Sequence, residues 1–190
     1  MKKFLIIAAV ILIVLIIVDR TVLKDKGIIQ QAKIEKYEEI ENIGELPVGL
    51  KEGELAPEIE LVDINGDSFK LSDYKGKAVL LNFWASWCGP CEAEMPYMEK
   101  LHKKYQEDDI EIIAVNMTRS EKVNDAPEKF VEKHDLTFTI PMDQEGVASK
   151  DYEIMAYPTS YFIDSDGVIR NKVLGALNEE YMEKELLRLP

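Results

Sequence analysis

The chain has 190 residues, 46% of them hydrophobic and 31% charged, which is the composition of a globular domain and excludes a wholly disordered polypeptide. Its formal net charge of -13 argues against nucleic acid as a partner, because a binder of phosphate backbones needs a basic face. It contains only 2 cysteines, too few for a disulfide scaffold, so their spacing rather than their number carries the information.

In chain order, Met1-Lys2-Lys3 is followed by an unbroken apolar run at residues 4–18, FLIIAAVILIVLIIV. A helix apolar on every face belongs in lipid or in a secretion signal. The run is short for a bilayer core of ~30 Å, so a spanning helix recruits Thr21, Val22 and Leu23. The following DRTVLKDKG offers no small-x-small cleavage site and no lipid-accepting cysteine, which favours an uncleaved anchor over a cleaved signal peptide. The predicted organisation is a transmembrane signal anchor at 1–23, a linker at 24–52 and a folded domain at 53–190. Lysines and arginines nearly balance on the two sides of the run, so charge alone does not orient it. The linker mixes charge with scattered Ile and Tyr and reads as a spacer with a short helix around residues 34–40.

Within the domain, residues 58–62 and 68–71 flank Asp63-Ile64-Asn65-Gly66-Asp67, a hairpin signal. The run AVLLNFW at 78–84 predicts a strand buried on both faces, and IEIIAV at 110–115 a second. Helices are expected at 89–105, 126–134, 147–152 and 178–187, with a strand near 138–140. A second hairpin is expected at 161–163 and 168–174, around Asp164-Ser165-Asp166-Gly167. Parallel strands with crossover helices, then a hairpin and a helix, make an α/β sandwich around a mixed sheet.

The segment Trp87-Cys88-Gly89-Pro90-Cys91 falls where a buried strand gives way to a helix. A sulfur at a first helical turn faces unsatisfied N–H groups and the positive end of the dipole, which favour the thiolate that attacks disulfides. Cys88 is expected exposed and nucleophilic, and Cys91, one turn deeper, shielded and resolving. Zinc would need four ligands, yet only His102 and His134 remain, at the wrong spacing. As a structural staple the pair would enclose almost no chain entropy. Thiol–disulfide exchange, which needs no cofactor or metal beyond the two sulfurs, is the chemistry these residues fit.

FWASWCGPCEAEMP resembles the active-site segment of the thioredoxin superfamily, including Pro96 in the helix after the cysteines. DQEGVASKDYEIMAYPTSYFIDSDGVI resembles the second signature of its extracytoplasmic, membrane-anchored TlpA/ResA-like branch. That resemblance implies a thioredoxin-like sandwich with a hairpin ahead of the first buried strand and a helix inserted before Pro158. It implies that Pro158 is cis and that Tyr157 presents backbone groups to substrate, although only about 5–6% of X–Pro bonds in folded proteins are cis. Trp84 is expected in the core, and Trp87 beside the reactive sulfur as a contact for partners.

The branch carries a functional acid at the position of Glu94. The superfamily's buried aspartate, six residues before the first cysteine, is here Asn82, which cannot take a proton. Glu94, on the helix face of Cys91, is therefore expected to be the acid/base, with a raised pKa. The resemblance further implies protein disulfides as substrates, an integral-membrane thiol carrier as electron donor, and apocytochrome c among possible recipients. The Gly-Pro pair between the cysteines resembles thioredoxin, a couple near about −270 mV, and points to reduction. A copper chaperone of related fold, with His134 as distant ligand, and a thiol peroxidase are the alternatives from other classes.

Overall fold

The computed structural model describes residues 34–190, and the anchor expected at 1–23 lies outside the described residues. Among the described residues no helix is long and apolar enough to cross a membrane.

Residues 36–190 form one compact unit. Its strands are β1 (Glu60–Asp63), β2 (Ser68–Lys70), β3 (Ala78–Trp84), β4 (Ile110–Asn116), β5 (Pro141–Met142), β6 (Thr159–Ile163) and β7 (Ile169–Leu174). Its helices are α1 (Gly89–Tyr105), α2 (Ala126–Lys133), α3 (Val147–Asp151) and α4 (Glu179–Arg188). One sheet has the order β2-β1-β5-β4-β3-β6-β7. β3 pairs with β4 in parallel and with β6 antiparallel, so the sheet is mixed around a fully buried central strand.

Alternation along β3 divides the core in two. Leu80 and Trp84 point to the face covered by Met95, Met98 and Leu101 of α1, Phe130 of α2, and Met182 and Leu186 of α4. Val79, Leu81 and Phe83 point to the opposite face, against Tyr152 beside α3 and Phe69 of the first hairpin. Asn82 falls on the Leu80–Trp84 side, the one polar residue in an apolar run. The β1–β2 and β6–β7 turns use the same device: Asp63 accepts from the N–H groups of Asn65 and Asp67, and Asp164 from those of Asp166 and Val168.

The secondary structure departs from the sequence expectations in two places. No helix forms at 34–40. Instead the Tyr37 hydroxyl donates to Glu185 at 2.7 Å, its ring lies under the Arg188 guanidinium, and the Glu38 carbonyl accepts from Arg170. Part of the segment read as a spacer thus packs on the domain, its apolar groups serving long-range contacts rather than a helical face. The strand near 138–140 is displaced to Pro141–Met142. Phe138 and Ile140 are buried, but Thr139 makes only an isolated bridge to Ile113, so the alternation there reports burial rather than a ladder.

Candidate active site: a cysteine pair at the mouth of a helix

β3 ends at Trp84, and after a short turn the chain enters α1 with Cys88 at the N-cap. Cys88 has extended backbone angles (φ -88°, ψ 102°), and its Sγ accepts from the Cys91 N–H at 3.2 Å. Sulfur does here what a serine or aspartate does at other helix starts. Pro90 occupies the first turn, where a missing N–H costs nothing, and Glu92 adds an acidic side chain at the positive end of the dipole. Cys88 and Cys91 are joined as a disulfide, with Cα atoms 5.2 Å apart.

The expectation of an exposed Cys88 needs correction. Cys88 is 6% exposed and Cys91 0%, and both belong to the core cluster on the α1 side of the sheet. The reason is that Cys88 turns its sulfur inward, onto Cys91 and the helix N–H groups. The order of accessibility is as expected, but the opening is narrow.

Its rim is aromatic. Trp87 is 45% exposed and donates through Nε1 to the Ser120 carbonyl at 3.0 Å. Its ring meets that of Tyr157 edge-on at 5.6 Å, and the Lys122 ammonium lies over it at 5.4 Å. The Tyr157–Pro158 bond is cis, as the resemblance implies, and Pro158 is buried at the start of β6. The ring contact therefore brings Trp87 and the Tyr157–Pro158 pair to one place. Met155, two residues before Tyr157, is 96% exposed.

Further along α1, three residues after Cys91, is Glu94, 1% exposed. Its Oε1 accepts from Asn82 Nδ2 at 2.7 Å and its Oε2 from the Leu177 N–H at 2.9 Å. Burial raises its pKa from 4.5 to about 7, and the two donors, which favour the carboxylate, hold it from rising further. Asn82 Nδ2 also donates to Ser160 Oγ at 3.0 Å, directly across the β3–β6 ladder. Glu92, by contrast, is held below the usual carboxylate range by Lys133. His134, the distant copper ligand of the alternative reading, lies 3.0 Å from the same Glu92 carboxylate.

Sequence reasoning did not find Glu121. One of its carboxylate oxygens accepts from the Ser86 N–H at 2.7 Å and Asn116 Nδ2 at 2.8 Å, and the other from the Ser86 hydroxyl. It thereby ties the turn before Cys88 to the end of β4. A signal was available, because parallel β3 and β4 run in register to Trp84 and Asn116, so their following loops must meet.

Residues 53–172 match the AhpC/TSA family. The chain belongs to this family. It is 45% identical over 139 residues to the thioredoxin-like protein YneN of Bacillus subtilis, covering 73% of this chain and 81% of that one. It is 39% identical over 137 residues to the thiol-disulfide oxidoreductase ResA of Bacillus thuringiensis, covering 72% and 78%. Among solved structures, the thiol:disulfide interchange protein DsbE from Chlorobium tepidum superposes with a TM-score of 0.67 at 33% identity, covering 73% of this chain and 97% of that one. StoA from Bacillus subtilis gives a TM-score of 0.62 at 29% identity, covering 68% and 96%. With this fold, these relatives and the Cys88–Cys91 pair, the protein is a thiol–disulfide oxidoreductase of the thioredoxin superfamily.

Proposed function

We propose that this AhpC/TSA-family oxidoreductase is a membrane-anchored reductant of protein disulfides, with its domain on the extracytoplasmic side. The apolar run at 4–18 supports the anchor, and the Gly-Pro pair between the cysteines supports reduction. The observation that carries the reading is the order of three groups along the start of α1: a slightly accessible sulfur at the N-cap, a shielded sulfur three residues on, and a buried acid with a raised pKa three residues further.

In the reduced protein, Cys88 as thiolate attacks one sulfur of a substrate disulfide. That S–S bond breaks, a mixed disulfide forms, and the first substrate sulfur leaves as thiolate and takes a proton from water. The Cys91 thiol then gives its proton to the Glu94 carboxylate and attacks the Cys88 sulfur. The second substrate sulfur departs, and the Cys88–Cys91 disulfide closes. Two electrons have passed to the substrate. An integral-membrane thiol carrier returns them, with Glu94 giving its proton back to Cys91. Trp87, Tyr157, Pro158 and the exposed Met155 form the rim on which the substrate chain rests. Apocytochrome c, whose haem-binding cysteines must be reduced, is one substrate of the required chemistry.

The test is single-turnover reduction of a disulfide-bonded protein by the reduced enzyme, with hydrogen peroxide as competing oxidant. Rapid transfer to the protein disulfide, at least about tenfold slower in Glu94→Gln, is expected, an effect typical of losing a general acid–base. Faster oxidation by peroxide, or an unchanged rate in Glu94→Gln, contradicts the reading.

A further inference from the structure

The hydrogen bonds around Glu94 suit only one of its two protonation states. Both of its oxygens face donors, Asn82 Nδ2 and the Leu177 N–H. That is right for a carboxylate and wrong for a carboxylic acid, whose O–H would point at another hydrogen on either oxygen. Asn82 is fully buried, yet among the described residues its Oδ1 has no hydrogen-bond partner. A buried acceptor left unpaired costs about 1–3 kcal/mol.

We propose that Asn82 is a positioning residue that turns its carboxamide over whenever Glu94 gains or loses a proton. The Leu177 N–H is backbone and cannot change role, whereas the amide can exchange O for N by a half-turn about its terminal torsion. Turned, Oδ1 takes the place of Nδ2. It accepts from the Glu94 O–H and from the Ser160 hydroxyl, which can serve as donor or acceptor. The Leu177 N–H keeps its bond to Oε2. Glu94 then has a matching partner in each protonation state and stays in place through both halves of the proton transfer, while the Asn82 N–H groups take over the unpaired position that Oδ1 holds beside the carboxylate.

Among the described residues, β3 and β6 meet at this point through the neutral Asn82 and Ser160. The acids of the packed helices are engaged elsewhere, Glu99 with Lys103, Glu179 with Lys100, Glu183 with Lys104 and Glu185 with Arg188. Cys91, one turn nearer the helix start, is the other titratable group, and in the oxidised protein it is held in the disulfide.

The inference rests on Glu94 being the proton carrier of the proposed reaction, so its test avoids turnover. In full-length oxidised protein held in detergent, the side-chain amide resonances of Asn82 are followed by nitrogen-15 NMR from about pH 5 to about pH 9, alongside the Glu94 carboxyl carbon. With no thiol to titrate, both are expected to move together around pH 7. The Asn82 amide protons should be hydrogen-bonded and downfield at high pH, then shifted upfield as they lose their acceptors at low pH. In Glu94→Gln, the glutamine amide donates to Oδ1 at every pH, and Asn82 should show the low-pH pattern throughout. An Asn82 amide that stays unmoved while Glu94 titrates overturns the inference and leaves the disulfide chemistry standing. An exchange rate indifferent to Glu94→Gln removes the acid/base reading instead.

Discussion

Glu94 is buried at a cost to the stability of the fold whenever it is ionised. Its folded pKa of about 7 lies above the ordinary 4.5, so the folded protein holds this proton more tightly than the unfolded chain does. Its contribution to stability is fully present below pH 4.5 and is lost as pH rises through 7. The shift corresponds to a cost on the order of 3 kcal/mol at alkaline pH. Denaturant unfolding of the oxidised protein is expected to show Glu94→Gln more stable than wild type at pH 8 by about that amount, with the gap closing toward pH 4. A constant gap would mean that Glu94 ionises like a surface carboxylate. Cys88, joined to Cys91, keeps 6% exposure and accepts from the Cys91 N–H at the start of the helix. Cys91 is fully buried, so access separates the two sulfurs.

At the scale of elements, the site is a junction of β3, α1 and the loop after β4, and Glu121 holds the junction. Removing it leaves the Ser86 N–H and the Asn116 amide without their acceptor. Glu121→Ala is expected to lose about 1–3 kcal/mol in denaturant unfolding and to speed amide exchange at Ser86 and Trp87. Unchanged exchange there would show that the turn is held by something else. The residues legible in the sequence are those that local spacing defines: the cysteine pair after a buried strand, Pro90 in the first turn, and Glu94 one turn past Cys91. The cis bond at Pro158 came only through resemblance to a family. Ser160 and the Leu177 N–H were invisible because they reach Asn82 and Glu94 across 78 and 83 residues, and Glu121, which reaches Ser86 across 35, could be sought only through the pairing of β3 with β4. Such contacts leave no periodicity to read.

At the scale of the molecule, β3 and its turn into α1 were legible because a strand buried on both faces has an unmistakable pattern. The segment before the domain was not. Its Ile and Tyr mimic a thin helical stripe, but Tyr37 covers the end of α4 and Glu38 caps the buried Arg170. A chain of residues 36–190 should therefore unfold like the whole compact unit. One of residues 53–190 should be about 2–4 kcal/mol less stable, through loss of Tyr37 burial and an orphaned guanidinium donor. Equal denaturant midpoints for the two would show that residues 36–52 contribute nothing to the fold.

The proposed reaction has an order, in which Cys88 strikes first and Cys91 finishes. The most direct measurement is to mix reduced single-cysteine variants with a disulfide-bonded protein and look for covalent adducts by mass spectrometry. Cys91→Ser is predicted to accumulate a stable mixed disulfide on Cys88, while Cys88→Ser, left with a sulfur at 0% exposure, forms little or none. Equal adducts on both variants, or an adduct on Cys91 alone, would contradict the account.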